Sequence, residues 1–446
     1  MSANIFDLYK KVDVEDYLTA AIKAGEYIRS REIVTAEGKY WKSGAQDANA
    51  DGSVGQFYLG NRALYGGAAG IGWFFVQLYD ATGDESYLQD AYSAGDYLIC
   101  SYEKSIARKA GYYAGAAGEG AFLELLYDKS GDEKYRQQSL VIADDIYEAA
   151  DRDENGIHWD GLYDLVGDAG VVIFWLQLAK KTGDKKYLAY AKEVLDTVLK
   201  TKIVFDEESI YWKLLDISAY FSELPKGGVI PNFAHGTAGI VYLLTKYYEA
   251  TGEKDYLNEA EKGFNFLEKI AVKDEDSAIV PYIYILDEAK PYDVFYLGYC
   301  HGPAGDGIAA NELYKVTGNE KYLDFFKKLS KALIKAGVPE KRSRGYWNDC
   351  LCCGSAGILY HFISASRFDE SYLSLAKRTA DKTVTDAFKE ESGYRWYNAW
   401  TRLEPQNVDA HTGLYIGAAG SGSALLALYA KLKNKKITPL YEYEGL

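Results

Sequence analysis

A pair of glycines three residues apart recurs seven times in this chain, and an apolar stretch follows every copy. The pairs are Gly67 and Gly70, Gly115 and Gly118, Gly167 and Gly170, Gly236 and Gly239, Gly302 and Gly305, Gly354 and Gly357, and Gly417 and Gly420. The first apolar stretch reads Ile71-Gly72-Trp73-Phe74-Phe75-Val76-Gln77-Leu78, and behind it comes Thr82-Gly83-Asp84 with Tyr87-Leu88. A glycine there ends a helix, because it takes a left-handed φ without a Cβ clash, and the aspartate caps the next one. The same signal returns at Ser130-Gly131-Asp132, Thr182-Gly183-Asp184, Thr251-Gly252-Glu253 and Thr317-Gly318-Asn319. In the first five units the last glycine of the pair and the tyrosine stand 17 residues apart, from 70 and 87 to 305 and 322. The sixth unit is two residues shorter, with Phe368-Asp369 in place of Gly-Asp and Tyr372 in register.

Self-similarity at intervals of roughly 50 to 70 residues is the mark of an array of helix–turn–helix units. An open array would need polar caps at both ends. Here Val14 to Arg31 has helical spacing, and the chain closes on a lone helix from Ser421 to Leu432, so the two can pair. The expected fold is therefore all-α: a single domain over 1–446, built as a closed (α/α)7 double toroid of seven helical hairpins with Gly-x-x-Gly turns. Residues 1–65 form an opening helix and loop, 66–432 the repeats, and 433–446 a C-terminal tail. The stretch 42–56 reads as loop. The runs Ile203-Val204-Phe205, Ile210-Tyr211-Trp212 and 278–284 read as short, minor strands between helices.

Composition narrows the partners. The 41 tyrosines and 8 tryptophans suggest a cavity or seam lined with amphipathic aromatics. A formal charge of −15 argues against nucleic acid and is compatible with attraction of a basic peptide segment. The N-terminus has neither a basic nor an apolar signal region, and no apolar run spans a membrane, so a cytoplasmic location is expected. Five cysteines, three of them crowded at 350, 352 and 353, fit a reducing compartment in which thiols serve metal binding or catalysis.

The position just before each turn glycine carries the chemistry. In repeats four to six it holds His235, His301 and Cys353, preceded by Ala234, Cys300 and Cys352. In repeats one to three it holds Gly66, Ala114 and Val166, with Asp164 two residues further back. If the turns share one rim, Cys300, Cys352 and Cys353 meet there. Three protein ligands with a fourth position open is the pattern of a catalytic zinc. Cys350 in place of Cys353, or a closed structural site completed by His301 or Cys350, stays open on spacing alone. Cys100 reads as an ordinary buried cysteine and His361 as a core residue, while His411 is unassigned.

With Tyr299-Cys300-His301-Gly302-Pro303-Ala304-Gly305 in the fifth repeat and Leu351-Cys352-Cys353-Gly354 in the sixth, the chain resembles the lanthionine synthetase C-like (lanthipeptide cyclase) family over about residues 60–432. The seventh repeat, Thr412-Gly413-Leu414-Tyr415-Ile416-Gly417, matches it as well. The resemblance implies a Zn2+ site of Cys300, Cys352 and Cys353, as in the subset of the family with three cysteines. It implies acid/base roles for His235 and Asp164. It also implies an enzyme that adds peptide cysteine thiols to dehydroalanine or dehydrobutyrine, forming lanthionine or methyllanthionine thioether rings. The partners would be a dehydrated precursor peptide with leader and core, a separate dehydratase, and a membrane-bound export or modification complex. Tyr299 stands where the family usually has tryptophan, Pro303 and Ala304 exchange the usual order, and Phe295-Tyr296-Leu297 stand where it has a basic residue. Two other readings compete: a zinc-containing scaffold holding a thiol ligand such as glutathione or a client peptide, and a carbohydrate-active toroid. The last needs paired carboxylates, and none recur at the turns.

Overall fold

The computed structural model describes residues 12–42, 60–213, 227–343, 345–399 and 408–445, so most of the loop expected at 42–56 lies outside it. Among the described residues there are fourteen α-helices and only short strands. The repeat signals set the helix boundaries. α2 (Ala68–Thr82) ends where Gly83 turns left-handed at φ 75° and donates to the Tyr79 carbonyl. Thr82 donates its hydroxyl to Leu78 O and accepts from the Asp84 amide, while the Asp84 carboxylate caps α3 (Glu85–Cys100) by accepting from Ser86 N at 2.9 Å. All three residues of the signal are thus used. The next hairpins are α4 (Ala116–Ser130) with α5 (Glu133–Ala149) and α6 (Val171–Thr182) with α7 (Lys186–Lys200). Then come α8 (Thr237–Thr251) with α9 (Lys254–Ile270), α10 (Pro303–Thr317) with α11 (Glu320–Lys335), and α12 (Ser355–Ala365) with α13 (Ser371–Asp386).

The two helices of a hairpin differ as their sequences do. In α2 every residue from Ala68 to Leu78 is buried, as an apolar helix surrounded by other helices must be. In α11 the buried positions form one stripe, Tyr322, Phe325, Phe326, Leu329 and Leu333 among them, and the opposite face carries lysines. The apolar helices α2, α4, α6, α8, α10 and α12 each pack on the next, and the last helix, α14 (Ala418–Lys433), packs on both α12 and α2. The hairpin partner of α14 is α1 (Val14–Arg29), from the other end of the chain.

A run of backbone hydrogen bonds joins the turns of six of the seven repeats at the residue two before the turn glycine. Ala234 N donates to Cys300 O at 2.9 Å, Cys300 N to Cys352 O at 3.0 Å, and Cys352 N to Tyr415 O at 2.8 Å. Tyr415 N then donates to Tyr65 O at 2.8 Å and Tyr65 N to Tyr113 O at 2.7 Å, which links the last repeat to the first. The second glycine of each pair makes this approach feasible. At Gly118 a Cβ would lie only 2.0 Å from the carbonyl oxygen of Tyr112, and the counterparts in the other repeats meet the same obstacle.

The strands matter more than the sequence suggested. An antiparallel ribbon follows α1, α5, α7, α9 and α13, for instance Ile203–Asp206 with Ser209–Tyr211 after α7. In three of these a tryptophan just past the ribbon turns back onto its helix. Trp159 donates to Ile146 O, Trp212 to Val198 O and Trp396 to Thr383 O, at 2.8, 2.9 and 2.7 Å. Carbonyls in the last turn of a helix lack i+4 partners, and each indole N–H bonds one of them, at Val198 alongside the capping Thr201. No described helix is long and apolar enough to cross a membrane.

A methyl group at Gly118 should destabilise the chain by about 3 kcal/mol or more, because backbone rather than a flexible side chain obstructs it. Gly131→Ala, at φ 69° with open space around it, should cost only about 1 kcal/mol. Denaturant midpoints of the two variants measure the difference.

A candidate metal centre at the turn-bearing rim

Cys300 precedes α10, whose first residue is Pro303, where a missing N–H costs nothing. Cys352 and Cys353 precede α12. The rim bond from Cys300 N to Cys352 O brings the two segments side by side. Gly298 lets them close further, since a Cβ there would lie 2.8 Å from Cys353 Cα. The outcome is a group of three sulfurs, those of Cys300, Cys352 and Cys353, all within 4.8 Å of one another. Cys353 Sγ lies 3.4 Å from Cys300 Sγ and 3.5 Å from Cys352 Sγ. Tetrahedral Zn–S bonds would separate sulfurs by about 3.8 Å, so the group needs little adjustment to hold the ion.

The electrostatics point the same way. Hydrogen bonds with Cys300 and Cys353, and then burial, push the Cys352 thiol well above its ordinary range. Three sulfurs this close ionise together only around a cation, and soft thiolates suit zinc. Cys350 lies beside the group without belonging to the mutually close trio, and a hydrogen bond with the Cys353 side chain, together with burial, pushes its thiol well above the ordinary range. Its sulfur accepts from the Cys353 amide at 3.5 Å and so helps shape the turn. The loop is held from below by Asp349, whose carboxylate accepts from Arg342 and Ser355 at 2.6 and 2.7 Å.

The structure places the other sequence-selected residues in a line along the rim. Asp164 is fully buried; one carboxylate oxygen accepts from Gly167 N at 2.6 Å, and the other lies 2.7 Å from His235 Nδ1. The side chain of His235 is 24% exposed and its ring stacks on that of His301, centroids 5.5 Å apart. His301 is buried, with Nδ1 3.0 Å from Cys300 Sγ and its ring edge-on to Tyr282. Residues of repeats three, four and five thus lead in sequence to the sulfur cluster. His361 is a core residue, as read: it bonds Ser330 at 2.8 Å, and burial lowers its pKa to about 4. Cys100 is a correction, being exposed at the end of α3, where nothing covers an outer helix's last residue.

Tyr65 is the residue that sequence reasoning missed. Burial, together with the nearby Cys352 and Cys353 sulfurs, pushes its phenol well above the usual value. It occupies in the first repeat the position that Cys300 and Cys352 occupy in theirs. A tally one residue before the turn glycine passes over it; a tally two residues before would have found it.

A model of the family described as lanthionine synthetase C-like protein matches residues 59–441. Among solved structures, nisin cyclase resembles the chain at a TM-score of 0.63 and 17% identity, covering 87% of this chain and 92% of its own. A Listeria innocua protein resembles it at a TM-score of 0.51 and 15% identity, covering 95% and 99%. At these identities the two share the fold. No curated protein matches the sequence.

Purified protein should carry about one equivalent of zinc per chain. Cys300→Ala, Cys352→Ala and Cys353→Ala should each lose it and Cys350→Ala should keep it, as read by elemental analysis. Retention by Cys353→Ala with loss in Cys350→Ala would exchange the two.

Proposed function

The chain belongs to the lanthionine synthetase C-like family, and from that premise we propose that it is a zinc-dependent peptide cyclase acting on a dehydrated precursor peptide. The observation that carries this reading is the three-sulfur group with a histidine–aspartate pair beside it on the same rim. The rim itself we infer to be the mouth of a closed (α/α)7 double toroid.

Cys300, Cys352 and Cys353 would hold the ion and leave its fourth position to a cysteine of the peptide. A zinc ion there would supply the acidification of that thiol, since only a thiolate is a good nucleophile. His235 takes the thiol proton. Its Nδ1 faces Asp164, so Nε2 is the nitrogen left to work, and the neighbouring carboxylate steadies the imidazolium that forms. The sulfur then bonds to the β-carbon of a dehydroalanine or dehydrobutyrine, and the double-bond electrons move to Cα. His235 Nε2 returns its proton to that carbon, and a thioether ring is closed with no net change in protons. Both oxygens of Asp164 are engaged, which suits a residue that orients His235 and not one that shuttles protons itself. His301 keeps the Cys300 sulfur in place through its Nδ1 contact.

The substrate residues must have been dehydrated beforehand, so a dehydratase on another polypeptide belongs to this reading. So do a cytoplasmic location and docking to a membrane-bound modification or export complex.

Incubation with a dehydrated, cysteine-containing peptide, followed by thiol alkylation and mass spectrometry, tests the proposal. Wild-type protein should protect the peptide thiol without a change in peptide mass. His235→Asn should lower turnover by about 10²–10⁴ with zinc retained, and Asp164→Asn should lower it less. Zinc without loss of alkylatable thiol would instead favour a scaffold that holds a thiol ligand.

A further inference from the structure

The C-terminal tail does not lie on the outside of the ring. After α14 ends at the left-handed Asn434, Thr438 bonds Asp80 through its amide at 2.8 Å, and its carbonyl accepts from Gln77 at 2.8 Å. The Pro439 carbonyl accepts from Trp73 Nε1 at 3.2 Å. Trp73 and Gln77 both lie on α2, so the tail runs along an apolar helix of the ring. Tyr441–Tyr443 then makes a single tight turn. Tyr443 stacks on Tyr360 of α12 with ring centroids 4.2 Å apart, and Lys246 of α8 sits 5.4 Å from the Tyr441 ring centre.

Between those tyrosines Glu442 is buried, with 6% exposure. One of its carboxylate oxygens accepts three phenol hydroxyls: Tyr113 at 2.6 Å, Tyr299 at 2.6 Å and Tyr415 at 2.9 Å. These come from repeats two, five and seven. A buried carboxylate is costly unless charge-assisted hydrogen bonds replace its water, and three donors on one oxygen do so. Tyr299 and Tyr113 also lie in hydrogen-bond contact at 3.0 Å, and Glu442 is the acceptor that all three hydroxyls share.

Two of the three tyrosines, Tyr299 and Tyr415, also adjoin the sulfur cluster. Tyr299 is the residue before Cys300. The Tyr415 carbonyl accepts from the Cys352 amide at 2.8 Å, and the Tyr415 ring stacks on Tyr65 at 5.5 Å. On the far side of the tail a cavity of about 930 Å³ is lined by Thr438, Pro439, Tyr441 and Glu444 with Lys246 and Trp73. The tail therefore stands between that cavity and the rim.

We propose that Glu442 is a positioning residue for the metal centre. From the axis of the ring it pins Tyr299 and Tyr415, and through them it fixes how Cys300 and Cys352 approach each other. This rests on the reading of Cys300, Cys352 and Cys353 as ligands. It assigns a task to the tail that the sequence left as an appendage.

Cobalt(II) titration of metal-free, full-length protein tests it, with the sulfur-to-metal absorption band as readout and chelator competition giving the affinity. Wild type should show the band at one equivalent. Glu442→Ala should bind cobalt about 10- to 100-fold more weakly, the loss typical when a residue supporting a metal ligand is removed. Glu442→Asp should recover part of it. Tyr256→Phe, which removes a phenol–carboxylate bond on an outer helix, should lower the denaturant midpoint and leave cobalt affinity unchanged. If Glu442→Ala does not fold, Tyr299→Phe removes one of the three donors and should still weaken cobalt at least 3-fold. Wild-type affinity and spectrum in a folded Glu442→Ala, or in Tyr299→Phe, overturns the proposal. A wild type with no thiolate band at all overturns the metal reading beneath it, and the two failures are distinct.

Discussion

The hydrogen bonds that pass from Ala234 to Cys300, Cys352, Tyr415, Tyr65 and Tyr113 are the constraint on which the rest of the molecule depends. Helices alone set only their own lengths and faces. This amide-to-carbonyl run fixes the turns of successive repeats at one level, so side chains far apart in sequence stand next to each other. The sulfurs meet because their backbones are already bonded. The glycines are the condition for it: any side chain at the second glycine of the pair would collide with the carbonyl of the segment that the run holds in place.

Buried polar groups show the same economy. Glu119 is fully buried, and burial pushes its carboxyl upward, but the Arg62 guanidinium meets it with bonds from two nitrogens. Asp164 is answered by Gly167 and His235, and Glu442 by three phenols. Apart from the local Asp164–Gly167 bond, each pairing joins residues of different repeats or of distant segments, so each acts as a cross-tie as well as a satisfied charge. The sulfur cluster is the exception. Its members hydrogen-bond only weakly and oppose one another's ionisation, which is the condition a divalent cation relieves.

Much of this was legible in the chain because it is written locally. Thr82, Gly83 and Asp84 each carry out the part that their residue type dictates, and so do the equivalents at 182–184 and 317–319. Glu253 shows the limit: it stands at a capping position, yet no capping bond forms, and its carboxylate accepts from Tyr247 instead. A longer side chain reaches a better partner than the amides of its own helix. The ribbons were underrated because each is two to four residues long, too short for periodicity to register. Their purpose shows only when Trp159, Trp212 and Trp396 are seen to turn back on their helices. Tyr65 was passed over because the tally stood one residue nearer the turn glycine and a tyrosine, unlike a cysteine, does not by itself suggest a metal site.

The sequence alone singled out the three cysteines that the structure groups together and the histidine and aspartate that it pairs, since a repeat places equivalent residues at equivalent points and an odd residue there stands out. The number of repeats and the helix boundaries follow from the same register. Tertiary structure decided what the residues outside that register do. The pairing of α1 with α14, the order Asp164–His235–His301–Cys300, and the three tyrosines on Glu442 each depend on contacts between segments far apart in the chain, where sequence separation carries no information about distance. The tail illustrates the difference most clearly. Tyr441-Glu442-Tyr443 has no periodicity and no motif, and it acquires a place only because three repeats bring together phenols that one carboxylate can satisfy.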